Sequence, residues 1–352
     1  MVGPMPPPIH GQSVVMDHME SVLRPLFPRL EIVDTAEGDA RGWLRPAAVK
    51  VRGALGSFAA VRDADVVYVG VKGEIGMWLT SIAAGLARRA GARLFLHHHS
   101  YDYVRERKLR MVALAKAAGP AAVHIVLANT MAAQFARVMP EISAPFVLGN
   151  ASLIDKTLLD LPVKADSTSL VLGHLSDLSL EKGVDEVVNL AVALSQAGAD
   201  VRLIMGGPPA EGKAAEHRER AARELGDRFE YRGILTGDSK HRFFNDITHF
   251  VFPSRYAVEA VPLVLFEAMA AGAICVATRQ GAIPEQLQAA PCLLAKDADS
   301  FVRETLPALV HATVSSEDSQ RSKQAYRDSL AESEKQLETL IRLFAEGRAH
   351  RG

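Results

Sequence analysis

Cysteine is scarce in this chain of 352 residues, with two in all. Cys275 and Cys292 both sit among apolar neighbours. No disulfide framework is expected from them, and a reducing compartment suits them. Long hydrophobic runs are missing too. None approaches the ~18 apolar residues that a membrane span needs, and the longest candidate is cut by Arg88 and Arg89. The amino terminus, MVGPMPPPIHGQ, has neither a basic start nor an apolar core, so it does not read as a secretory signal. A two-lobed solute-binding protein of the exported kind is thereby disfavoured. No G-x-G-x-x-G follows a first strand, which disfavours a nicotinamide-dependent oxidoreductase. Net charge is low, −1 at pH 7, and no nucleic-acid partner is expected. No internal repeat or low-complexity segment stands out. These absences predict a cytoplasmic protein, at most peripheral on the inner face of the cell membrane.

The chain is long for one core, so two domains are expected. Strand and helix alternate along it, which predicts α/β domains with parallel sheets and crossover helices. In the first half, strands are predicted at 65–70, 93–99, 123–129 and 145–150, with helices over 75–90 and 130–138. Residues 151–168 lose periodicity and read as a linker. The second half carries predicted strands at 169–176, 201–207, 229–233, 249–253 and 274–278. Helices are predicted over 183–197 and 211–225, and a long polar one over 317–347. The first domain is placed at 1–150 and the second at 169–330, followed by a carboxy-terminal helix, 331–352. One feature departs from a parallel-sheet domain: only Met1 and Val2 precede the first turn, where a strand of ~5 residues is usual. A start lying further upstream is the favoured explanation.

Charge divides unevenly. Residues 1–150 hold 17 Lys+Arg against 12 Asp+Glu, while the whole chain holds 40 against 41. Much of the excess lies in RERKLR, residues 105–110. With Leu109, Met111, Val112 and Leu114 this segment predicts a basic amphipathic helix suited to an anionic membrane surface.

The most informative stretch is PSRYAVEAVPLVLFEAMAAG, residues 253–272. Pro262 suits the first position of a helix, where its missing N–H costs nothing, and Gly272 suits the residue just past its end. Glu259 then lies in the loop before the helix and Glu267 on it. Free N–H groups around Val261, Pro262, Leu263 and Val264 would form an anion site between the two carboxylates. A ligand with hydroxyls at both ends and phosphate in the middle fits that layout, as a nucleotide-sugar does.

With its E-x7-E pair followed by A-M-A-A-G, the chain resembles the retaining glycosyltransferases of group 1 (family 4), which have the glycosyltransferase-B fold. The resemblance implies two Rossmann-like, doubly wound domains facing a cleft, and a carboxy-terminal helix that returns to the first domain. It implies that Glu267 holds the donor ribose and that Glu259 contacts the transferred sugar.

The resemblance extends to GHLSDLSLEKGVDEV, residues 173–187. Gly173 would let the backbone approach the donor, and Lys182 would offset charge on the diphosphate. The family commonly has an Arg shortly after that glycine; here His174 or Ser176 stands in that region. In PPPIHGQSVV, residues 6–15, Gly11 matches the family's glycine-containing loop ahead of a helix. Gly206 and Gly207 end a strand where a nucleotide would approach, and Arg232–Gly233 would flank its base. Of His97, His98 and His99, alternation puts the outer two on one face. His99–Ser100 best matches a family histidine near the sugar and acceptor. Asp63–Ala64–Asp65 mimics the metal-binding D-x-D of the other glycosyltransferase fold but precedes a strand and reads as a turn.

The resulting expectation is a retaining hexosyltransferase, with Lys182, Glu259 and His99 as catalytic residues. It would move a sugar from a nucleoside-diphosphate-sugar to a hydroxyl of a glycan or lipid-linked glycan in surface polysaccharide biosynthesis. Neither metal nor cofactor is expected. A non-catalytic nucleotide-sugar-binding protein on the same fold is the alternative, suggested by the missing Arg.

Overall fold

The computed structural model describes residues 1–7, 11–36, 64–71, 76–142 and 144–349. They form two compact units: Met1–Leu153 with Glu332–Gly352, and Ile154–Ala331.

In the first unit the described order is β1 (Val2–Gly3), α1 (Gly11–Leu23), β2 (Val33–Asp34), β3 (Val66–Val71), α2 (Gly76–Arg89) and β4 (Arg93–His98). The short α3 (Asp102–Arg105) follows, then α4 (Leu109–Ala118), β5 (Val123–Val126), α5 (Asn129–Val138) and β6 (Phe146–Val147). All strands are parallel, in the order β2-β1-β3-β4-β5-β6. β3 (VVYVGV) and β4 (RLFLHH) are apolar throughout their centres because both faces of a parallel sheet are covered. β1 is only two residues long, yet it pairs with both β2 and β3. One core joins Met16 and Met19 of α1 to Tyr68, Phe95 and Ile125 of the sheet, and to Leu340 and Phe344. The Phe95 and Phe344 ring centroids are 4.1 Å apart. Burying a ring of this size contributes about 1.5–3 kcal/mol.

The second unit holds β7 (Leu170–Leu175), α6 (Val184–Gln196), β8 (Val201–Gly206), α7 (Gly212–Leu225), β9 (Phe229–Tyr231), α8 (Gly237–Asp246) and β10 (His249–Phe252). After these come α9 (Leu263–Ala270), β11 (Ile274–Thr278), α10 (Ile283–Gln286), β12 (Cys292–Ala295), α11 (Phe301–Leu309) and α12 (Ser316–Ala349), whose residues from Glu332 onward belong to the first unit. The sheet order is β12-β11-β10-β7-β8-β9, again parallel. Chain direction across this sheet reverses between β7 and β10. In open α/β sheets a ligand crevice forms beyond the carboxyl ends of the strands at such a reversal. Both cysteines are free thiols.

The stretch 151–168 is not a loose linker. It contains two 3-10 turns, Ala151–Leu153 and Lys156–Asp160, and from Ile154 onward it is part of the second unit. Lys164 anchors it by donating to the carbonyls of Phe244 and Asn245 at the end of α8, at 2.7 and 2.9 Å. A lysine at a helix carboxyl end satisfies orphaned carbonyls and suits the dipole. Such a role leaves no trace in hydrophobic periodicity.

Candidate functional site

The loop 253–262, between β10 and α9, is fastened on both sides. On one side, the loop after β7 approaches until Gly183 touches Pro253. A Cβ at Gly183 would stand 2.3 Å from the Pro253 carbonyl oxygen, and its φ of +79° is left-handed. The Arg255 N–H donates to the Glu181 carbonyl at 2.9 Å, and the Arg255 guanidinium to Asp185 at 2.8 Å. On the other side, Thr278 Oγ1 donates to the Ser254 carbonyl at 2.6 Å and Gln280 Nε2 to the Tyr256 carbonyl at 2.8 Å. Gln286 Nε2 donates to the Pro262 carbonyl at 2.9 Å. The Ala282 N–H donates to the Ala260 carbonyl at 3.0 Å, so residues 281–287 secure the loop through Ala282 and Gln286.

This fastening brings Lys182 and Glu259 together. Lys182 Nζ donates to Glu259 Oε2 at 2.6 Å, and Ser254 Oγ lies 3.2 Å from the same oxygen. The ammonium also stands over the Tyr256 ring at 4.8 Å and the Phe252 ring at 5.6 Å, a cation–π setting. Both charged side chains are largely sheltered, 20% and 11% exposed.

Helix α9, LVLFEAMA, is apolar except for Glu267, and Glu267 is only 7% exposed. At that burial Glu267 is not a solvated surface residue. A buried carboxylate needs a partner, and Lys240 of α8 supplies one through Nζ to Oε1. Lys240 is positioned by the capping box at the start of α8, where Thr236 and Ser239 bond reciprocally. Nothing in the sequence separates Lys240 from any other surface lysine, and sequence reasoning missed it.

Pro262 differs from its expected place by one residue. With ψ of 125° it is the N-cap, and the helix begins at Leu263. No side chain caps this start, so the first amides, Leu263 and Val264, have no partner within the helix. The carboxyl end behaves as expected: Gly272 and Ala273 donate back to Met269 and Ala268, the double bond of a Schellman ending.

The glycines divide. Gly207, φ +136°, has the Ser176 carbonyl oxygen 1.9 Å from where a Cβ would be, and its N–H donates to Gly233 at 2.7 Å. It ties the loops after β7, β8 and β9 together. Gly173 lies inside β7, where a Cβ would fall 2.6 Å from Ile247 and 3.0 Å from Phe243. The absence of its side chain is explained by the packing of α8 rather than by close approach of a ligand. Gly206 is likewise filled by Leu235. Gly11 opens α1, and a Cβ there would meet nothing within 4 Å; residues 8–10 before it lie outside the described residues.

His174 does not replace the missing cation. It is fully buried, its Nδ1 donates to the Val251 carbonyl at 2.9 Å, and Nε2 accepts from Ser176 Oγ at 2.7 Å. Burial lowers its pKa to about 4, so it is neutral. Arg232 is also committed, to Glu230 at 2.8 Å and Asp246 at 2.8 Å, rather than open to a base.

In the first unit, alternation holds for the histidines. His97 and His99 share a face with ring centroids 4.2 Å apart. His97 Nδ1 pairs with Tyr68 OH at 2.6 Å. His98, on the opposite face, meets Tyr103 OH at 3.2 Å and His124 Nδ1 at 2.9 Å. Burial holds His97 and His98 well below the usual histidine range and His124 at about 4. His99 is the least buried of the three.

Residues 105–110 are not one basic helix. Arg105 ends α3, and α4 begins only at Leu109. Arg107 pairs with Glu141 at 2.5 Å, and Lys108 and Arg110 share Asp102 at 2.5 and 2.6 Å. Met111 and Leu114 are core residues. Among the described residues no group of three His, Cys, Asp or Glu could hold a metal ion; Asp63 lies outside them. No described helix is long and apolar enough to cross a membrane.

Residues 168–310 match the family model described as Glycosyl transferases group 1. The matched residues all lie within the second unit. Solved structures resemble the whole chain. Anabaena HepE in complex with UDP is 16% identical, covering 99% of this chain and 98% of that one, with a TM-score of 0.66. Sucrose-phosphate synthase from Thermosynechococcus elongatus is 16% identical, covering 97% and 94%, with a TM-score of 0.69. TarM from S. aureus is 16% identical, covering 83% of this chain and 59% of that one, with a TM-score of 0.61. The fold is of the glycosyltransferase-B type. No curated protein matches the sequence.

Proposed function

We propose that this chain, carrying a group 1 glycosyltransferase domain on a glycosyltransferase-B fold, is a retaining glycosyltransferase that uses a nucleoside-diphosphate-sugar. The observation that carries the reading is the pair of sheltered carboxylates, Glu259 and Glu267, each held by a lysine, on either side of the uncapped start of α9. HepE was crystallised with UDP and with UDP-glucose, which makes a uridine diphosphate sugar the first donor to test.

In this reading Glu267 accepts hydrogen bonds from the ribose hydroxyls. Leu263 and Val264 offer N–H groups to the diphosphate, where the helix dipole favours negative charge. Lys182 leaves Glu259 for the diphosphate and neutralises charge as it departs, a preorganised electrostatic contribution. Glu259 then orients the sugar. The bond from the anomeric carbon to the β-phosphate oxygen breaks while the acceptor oxygen bonds to the same face of that carbon. The acceptor proton passes to the departing phosphate oxygen. His99 is assigned to the sugar or acceptor side. Metal is not required, since Lys182 and the helix amides take its place. A glycan or lipid-linked glycan of surface polysaccharide biosynthesis is the proposed acceptor class.

The test is turnover with a panel of nucleotide-sugars and glycan acceptors, reading nucleoside diphosphate release and the anomeric configuration of the product by NMR. Retention with one donor of the panel is expected. An inverted product, or binding of donors without any transfer, would overturn it.

A further inference from the structure

Among the described residues, five of the eight exposed large apolar residues fall on two helices of the first unit. Trp78 (50% exposed), Leu79 (37%), Ile82 (52%) and Leu86 (38%) all lie on α2, and Leu109 (83%) begins α4; Val163, Ile234 and Tyr256 lie in the second unit. Positions 78, 82 and 86 are spaced by four residues, so they form one stripe along the helix. α2 and α4 pack so closely that a Cβ on Gly85 would stand 3.8 Å from that of Ala117. Between them runs an open groove of about 490 Å³, walled by Ile82 and Leu86 and edged by Arg88, Arg89 and Lys116. The charge there has one sign. Neither Gly76–Arg89 nor Leu109–Ala118 contains an aspartate or glutamate, although the chain has 41. Arg88 is held in place by donating to the Lys116 carbonyl at 3.1 Å in the last turn of α4, and among the described residues it forms no ion pair.

An apolar stripe on a soluble surface marks a docking site. A partner protein core would cover the stripe but would have to bury three cations beside it. An anionic bilayer suits both features, with acyl chains for the stripe and headgroup phosphates for the rim. We propose that α2 and α4 dock this protein onto an anionic lipid bilayer. Trp78, Ile82 and Leu86 enter the boundary of the acyl region, and Arg88, Arg89 and Lys116 meet the headgroups. The basic side chains of 105–110 play no part, with Arg107, Lys108 and Arg110 already paired within the unit. The inference does not depend on the donor reading, because none of these residues belongs to the second unit.

The experiment is co-sedimentation with phosphatidylglycerol-containing vesicles and with pure phosphatidylcholine vesicles. Wild-type protein is expected to pellet only with the anionic vesicles and to be released at 1 M salt, where charges are screened within about 3 Å. Ile82→Ser/Leu86→Ser and Arg89→Gln/Lys116→Gln should each lose at least tenfold in partitioning, with thermal melting confirming that they fold. Replacing Arg105, Arg107, Lys108 and Arg110 by Gln should leave partitioning unchanged. In a Trp43→Phe background, Trp78 emission should shift to the blue when vesicles are added. Protein that stays in the supernatant at low salt, double variants that pellet like wild type, or unmoved Trp78 emission would each overturn the proposal. So would a solution dimer that Ile82→Ser/Leu86→Ser converts to monomer, which would assign the face to a second copy of this chain.

Discussion

Lys182 Nζ and Glu259 Oε2, 77 residues apart in sequence, meet at 2.6 Å where two loops are bolted together. Glu259 lies three residues before Pro262, the N-cap of α9, so the pair ties Lys182 to the loop that leads into that helix. In the proposed reading the donor diphosphate takes the place of that carboxylate.

Glu259→Ala is therefore expected to spare the binding of free nucleoside diphosphate, or to tighten it, because Lys182 loses its competitor. Turnover should fall, since the proposed partner of Glu259 is the sugar. Calorimetry with the diphosphate alongside a turnover assay checks both halves. A tenfold weakening of diphosphate binding would mean that Glu259 serves the nucleotide instead.

Gly183→Ala should act on both fold and site. The new Cβ meets the Pro253 carbonyl oxygen at 2.3 Å, and φ is +79°. Strain of this kind costs about 1–3 kcal/mol, and relieving it means moving Lys182 away from Glu259. A lower urea midpoint together with weaker diphosphate binding is expected. An unchanged midpoint would show that the loop yields without resistance.

Stability should fall between pH 6.5 and 4. Burial lowers the pKa of His124, His174 and His249 to about 4, and lowers His97 and His98 as well. A histidine depressed in the folded state leaves the unfolded chain binding more protons in that window. Stability is thus fully present above pH 6.5 and is lost as pH falls towards 4. Each group shifted to about 4 costs roughly 2 kcal/mol by pH 5. Glu186, raised by burial, opposes this as a single group. Urea midpoints measured at pH 7, 6 and 5 should decline steeply; a flat series would contradict the burial of these rings as neutral species.

Activity is expected to persist in excess chelator, because Lys182 and the amides of Leu263 and Val264 carry the charge-stabilising task. Complete loss, restored by magnesium or manganese, would reopen a metal-dependent route.

Much of the second domain was legible because its signals are local. A buried apolar strand, a Pro–Gly bracket and an E-x7-E spacing all lie within the twenty-four residues 249–272. What was not legible depends on distant partners. Lys240 gains meaning only from Glu267, which lies 27 residues on. Gly173 looked like a ligand contact, yet Ile247 and Phe243 fill its space. His174 stood where a cation was sought, but complete burial makes it a neutral brace. The basic run 105–110 looked free because Glu141, 34 residues beyond Arg107, is invisible to a local reading. The stripe on α2 went unnoticed for a related reason: an apolar helix reads as core until its exposure is known.

The most direct test of the account is calorimetric titration of wild type and Glu267→Ala with UDP, GDP and ADP in chelator. One of the three should bind wild type and lose about 1.5–3 kcal/mol in the variant, the worth of hydrogen bonds to a charged acceptor. Equal affinity in the two proteins, or no binding of any diphosphate to wild type, would contradict the claim that Glu267 and the start of α9 form a nucleotide site.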